Sequence, residues 1–270
     1  MTYKIIKEHF KSIHEMISVI ESRPNNKVMA DKHSSNTGDY SFTKTKSMDE
    51  AKELFRNGYT EILPKIKTGV SNEFKRTEVR NRRKVETGVI GYAPHVPNAI
   101  LGLPNSMILT KAQPQKVKAV SIVVGITENC GTEADEFITS GIAAIGVVNT
   151  LELRGYRVNL KVAFWCATGG NERAWGTIDL KDYREHLDLQ KLCFPLAHPS
   201  MFRRLGFKWL ETQPEIQDSG WEWGYGSQLS DLDYIKKNFL AENEYFINLA
   251  ITKECKYDPD EIIKRLNIEK

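Results

Sequence analysis

The stretch from Val117 to Trp165 constrains this chain more than any other. An apolar run, Val117 to Ile126, leads into a polar loop, Thr127 to Glu136. Apolar residues then recur at helical period over Phe137 to Leu153, and Gly155 separates them from a second apolar run, Tyr156 to Trp165. Strand, helix, strand in this order is one βαβ crossover, and such a unit needs a parallel sheet to belong to. Val120, Ile122 and Val124 are therefore expected in a central strand. Gly141, Ala143, Ala144 and Gly146 give the crossover helix a small face suited to close packing.

A chain of 270 residues, 40% apolar and 27% charged, can bury a core around that unit. The net charge of +3 is too small to imply nucleic acid or membrane by itself. Cys130, Cys166, Cys193 and Cys255 lie far apart without a CxxC pair, so neither a zinc cage nor a disulfide framework is indicated; Cys130 and Cys166 are expected as free thiols. Lys4, Lys7, Glu8 and Lys11 break any leader-like run, and no uninterrupted apolar run approaches about 18 residues. A cytoplasmic protein with no membrane partner and no cofactor is expected.

Along the chain, the spacing of Ile6, Phe10, Ile13, Ile17 and Ile20 predicts an amphipathic helix over Tyr3 to Ile20. Ser47 and Glu50 form a capping box before a helix that Gly58 stops. Residues Ser71 to Lys84 concentrate basic charge, and on a helix Arg76, Arg80 and Arg83, with Lys84 beside them, would suit a row of phosphates. A solvated face with internal ion pairs explains the same residues. The segment Gly88 to Met107 is dense in Gly and Pro yet apolar, which reads as an ordered, partly buried excursion; His95 within it lacks a catalytic partner.

Three segments carry a resemblance: Ser41–Tyr59 (SFTKTKSMDEAKELFRNGY), Gly91–Met107 (GYAPHVPNAILGLPNSM) and Leu151–Val158 (LELRGYRV). Together they resemble an uncharacterised family of tailed-bacteriophage proteins over about Ser41 to Leu210, which implies a viral origin and the host cytoplasm. The second half is also similar to a von Willebrand factor A domain. Such domains carry a metal-binding Asp-x-Ser-x-Ser at the end of the first strand. Here that position reads Gly125-Ile-Thr-Glu-Asn129, so the anchoring carboxylate is replaced and a metal-free version of the fold is expected.

Downstream, Ala174 to Leu180 is expected as a strand, Leu187 to Leu210 as two helical pieces broken at Pro195, and Tyr245 to Ile251 as a last strand. In the second helical piece Met201, Phe202, Leu205 and Trp209 share an apolar face, with Arg203 and Arg204 elsewhere. His198 precedes Pro199 at that piece's entrance. The loop Gly220 to Gly226 is either an exposed aromatic patch or a buried lid. Asp258, Pro259 and Glu261 open a final helix.

These readings combine into an α/β fold, doubly wound and mostly parallel, over 115–270, with an N-terminal helical and irregular extension over 1–114. No catalytic constellation and no metal set is complete. A non-enzymatic protein that binds another macromolecule, in the first place a protein, is the expectation. Thr127, Glu128, Asn129, Thr168 and Glu172 would form its binding rim beyond the strand ends. Two alternatives stand beside it. One is nucleic-acid binding through Arg76, Arg80, Arg83 and Lys84; the other is a divalent-metal enzyme built on the acidic loop holding Glu128, Glu133, Asp135 and Glu136.

Overall fold

A computed structural model describes residues 3–30, 40–70, 83–112, 118–168, 171–228 and 231–268. In chain order the strands are β1 (Lys4–Phe10), β2 (Arg83–Gly88), β3 (Ala93–Pro94), β4 (Met107–Ala112), β5 (Lys118–Gly125), β6 (Tyr156–Ala167), β7 (Glu172–Lys181) and β8 (Glu244–Ile247). The helices are α1 (Ile13–Ser22), α2 (Tyr40–Thr43), α3 (Met48–Asn57), α4 (Leu63–Val70), α5 (Val96–Ile100), α6 (Ala134–Leu153), α7 (Leu189–Ala197), α8 (Phe207–Glu211), α9 (Leu232–Phe239), α10 (Leu249–Glu254) and α11 (Pro259–Leu266). The chain divides into two compact units: Met1–Lys75 with Ala119–Lys270, and Arg76–Lys118. The expected N-terminal extension is therefore split, its first part sharing the core of the large unit.

The large unit is built on a five-stranded sheet in the order β1-β7-β6-β5-β8. Ser121 and Ile126 of the β5 side meet Asn159 and Ala163 of β6 in advancing order, so β5 and β6 run the same way. β5 with β8 and β1 with β7 are also parallel, while β6 and β7 pair antiparallel. The sheet is mostly parallel, with helices on both faces. Val120, Ile122 and Val124 are buried in β5, and α6 crosses from β5 to β6 as expected. A Cβ at Gly141 would lie 2.3 Å from the Leu196 carbonyl oxygen, and one at Gly146 would lie 2.8 Å from Pro259 Cγ. Those glycines let α7 and α11 approach the crossover helix. On the opposite face Val123, Ala163, Trp165, Trp175 and Phe246 form a second core with Ile235 of α9.

Several local expectations are corrected. Lys4–Phe10 is a strand and not the first half of a helix. Ile6 and Phe10 are buried beside β7, and the helix begins only after Ser12, whose Oγ accepts from Glu15 N–H. Pro195 lies inside α7 and does not break it. Residues Met201–Gly206 then form a π-helix, fully buried, in which Arg203 and Arg204 are buried with the apolar residues. The last strand ends at Ile247, where Asn248 Oδ1 accepts from Ile251 N–H and starts α10. The expected caps at Ser47 and Asp258 form, and Gly58, at φ +82°, ends α3.

By length and hydropathy α6 could cross a membrane, but eleven of its residues are buried inside this fold, and the core position accounts for its composition.

The small unit is a three-stranded antiparallel sheet in the order β2-β4-β3 with the short helix α5. Arg83 and Lys84 lie in β2, opposite Ala112 and Lys111. A helical row of arginines therefore does not reach Arg83. Arg76 and Arg80 lie outside the described residues. His95 caps α5, its Nδ1 accepting from Asn98 N–H at 3.4 Å. The expectation of partial burial over Gly88 to Met107 fails: Val89, Ile90, Tyr92, Val96, Ile100, Leu101 and Leu103 are exposed. Pro94 lies in β3 and Pro97 in the first turn of α5, so these prolines sit in short regular elements, and a three-stranded sheet this small has little to bury such side chains against.

Candidate functional site

β5, β6 and β8 end on the same edge of the sheet, and the loops after β5 and β6 meet there. Thr127 is buried, and its Oγ1 accepts from Trp165 N–H at 2.7 Å, so this hydroxyl ties the loop to β6. Glu128 follows at intermediate exposure, and the backbone N–H of Leu249, at the start of α10, donates to its carboxylate. Burial pushes its pKa up to about 7, although Lys253 and Arg203 pull it down; Glu136 adds to the rise. Asn129 is exposed, and its carbonyl accepts from Thr132 N–H at 3.0 Å.

Thr168 and Glu172 do not join them. Glu172 is 4% exposed, and its carboxylate accepts from Lys4 Nζ, from the backbone of Gln217 and Asp218, and from Trp221 Nε1. It binds β7 to the segment before the aromatic loop and is part of the scaffold, contrary to its expected place on an exposed rim. Thr168 is buried, its carbonyl accepting from Arg173. The aromatic loop is a lid: Trp221 is fully buried, and Ser227 pairs with Ala167 at the end of β6.

Between this lid and the β5 loop lies a cavity of about 250 Å³. Its wall is aromatic, with Phe42, Phe202, Phe207 and Tyr225, and its polar margin holds Thr127, Glu128, Asn129, Ser227 and Gln228. Phe207 and Tyr225 stack at 3.9 Å between ring centroids. Behind Phe42 the guanidinium of Arg203 stacks on the ring at 4.1 Å and donates to the carbonyls of Phe42 and Thr132, both at 2.6 Å. Among the described residues its Nε has no hydrogen-bond partner. π-Helical segments such as the one holding Phe202 and Arg203 recur at functional sites. Neither Arg203 nor the aromatic wall was expected from the sequence; two arginines set among apolar residues over Met201 to Phe207 were the available signal.

A Cβ at Gly125 would lie 2.3 Å from Trp165 Cη2, so no carboxylate fits where the metal-binding pattern needs one. Among the described residues no three His, Cys, Asp or Glu side chains gather to hold an ion. Cys130 and Cys166, which also line the cavity, are free thiols. A larger cavity of about 330 Å³ lies at the opposite edge, beyond the ends of β1 and β7. Of its polar lining, Ser12 and Asp188 cap α1 and α7, and Gln190 donates to the Asn57 carbonyl.

Across residues 1–270 the sequence matches the family described as Domain of unknown function (DUF7192). The chain belongs to that family. No curated protein and no solved structure matches it.

The second candidate surface of this DUF7192 chain is the small unit. Eight large apolar side chains are exposed on it, Val85 and the seven named above, with Ile90 at 82% and Ile100 at 79%. From Gly88 to Thr110 the sequence has no Asp, Glu, Lys or Arg, whereas residues 76–118 as a whole carry eight Lys and Arg against two Glu.

Proposed function

We propose that this chain is a non-enzymatic binding protein that docks on another protein through the small unit. The observation that carries the reading is the exposure of eight large apolar side chains on one three-stranded module. At roughly 100 Å² apiece they present on the order of 800 Å², the share that one partner contributes to a standard protein interface. Monomeric proteins seldom leave so much apolar surface to water without a use for it. The basic residues flanking the charge-free tip select a partner whose apolar surface is bordered by acidic groups. In this reading the protein is phage-encoded and acts in the host cytoplasm, as the sequence resemblance implies.

Affinity capture from infected cells, with mass spectrometry and nucleic-acid detection, tests it. The wild-type chain should retain a protein that the Ile90→Asp, Ile100→Asp double variant loses. Retention of nucleic acid alone, falling steeply with salt, would instead favour binding by the basic residues.

A further inference from the structure

We infer that the cavity between the β5 loop and the aromatic lid binds a small planar heteroaromatic molecule that presents an N–H donor edge, the chemistry of a free nucleobase. Ligands of open α/β sheets bind beyond the carboxyl ends of the strands, and this cavity lies beyond the ends of β5 and β6. A 150 Å³ apolar cavity is known to hold benzene, so about 250 Å³ suits one or two fused rings. The wall is made of Phe42, Phe202, Phe207 and Tyr225, which offer ring faces and edges to a flat guest. The margin includes a carboxylate, Glu128, together with Asn129 and Gln228, and an ionised carboxylate can accept two parallel N–H bonds.

A phosphate is disfavoured. The described residues that line the cavity include no Lys or Arg to pair with one. A base without its phosphates fits better than a nucleotide. The charged groups that act on Glu128 are Arg203 of the π-helix, Lys253 of α10 and Glu136 of α6. Because its pKa is about 7, the acceptor form grows as pH rises through neutrality, and donor-edge ligands bind the ionised form.

Guanine and hypoxanthine, titrated into the full chain by ligand-observed NMR, are the probes, with benzoate as an acceptor-only control. Both purines should bind about tenfold more tightly at about pH 8 than at about pH 6, and benzoate should not bind. Glu128→Gln should remove that pH difference. Cys130→Trp, at the exposed mouth, should abolish binding while leaving the unfolding midpoint unchanged. The inference is overturned if neither purine binds the wild-type chain, if benzoate binds as well as they do, or if Cys130→Trp leaves their affinity intact.

Discussion

At the scale of single residues, His198 and Glu128 carry opposite pH signatures. Burial lowers the His198 pKa from 6.5 to about 4, so the unfolded chain takes up a proton first. Its contribution to stability is full above about 6.5 and is lost as pH falls toward 4. Glu128 is raised from 4.5 to about 7, so the folded chain keeps a proton that the unfolded chain releases. Its contribution is full below about 4.5 and is lost as pH rises to 7. Each is worth on the order of 3 kcal/mol, so the two slopes largely cancel between about pH 4.5 and 6.5. Denaturant midpoints across that range should be nearly level for the wild type, rise with pH in Glu128→Gln and fall with pH in His198→Gln. Three parallel curves would contradict both assignments. Glu8 works differently: burial alone would raise its pKa, but hydrogen bonds from Arg23, Trp209 and Gln213 outweigh burial and hold the carboxyl below its usual range. Arg23 grips it with two bonds, at 2.9 and 2.7 Å. Glu8→Ala should cost about 2 to 3 kcal/mol by urea denaturation, because it strands Arg23 and the Trp209 indole N–H. None of these roles was legible in the sequence, since each depends on what tertiary contact brings to the residue.

At the scale of elements, the crossover β5-α6-β6 was legible because its apolar periods and its glycines are local features. Gly141→Ala places a methyl against the Leu196 carbonyl and should destabilise the chain by about 1 to 3 kcal/mol. Gly131→Ala, with open space at that position, should stay within about 0.5 kcal/mol, and the same urea series reads both. β1 was misread because Ile6 and Phe10, four apart, satisfy a helical period as well as they satisfy one face of a strand. Parallel pairing with β7, which is distant in sequence, decides between the two. Similarly, Glu172 reads as a charged turn residue until Lys4 and the backbone at Gln217 and Asp218 close around it. Of the expected rim, Thr127, Glu128 and Asn129 follow the end of β5 and line the cavity, whereas Thr168 follows β6 and Glu172 opens β7, and both are buried.

At the scale of the molecule, the two units differ in what they do with their apolar side chains. The large unit buries its apolar side chains on both faces of the sheet, while the small unit exposes most of the large ones it has. Replacing residues 76–118 by a flexible linker should leave the near-UV circular dichroism and unfolding midpoint of the large unit unchanged, and should remove partner binding. The sequence showed an ordered apolar segment there; its exposure could not be read from composition, since apolar residues equally suit a core or an interface. Hydrogen exchange on the captured complex tests docking through the small unit most directly. The account predicts slowed exchange over β2 to β4, centred on residues 89–103, with little change across the large sheet. Protection confined to the large unit, with residues 89–103 exchanging as in the free chain, would contradict it.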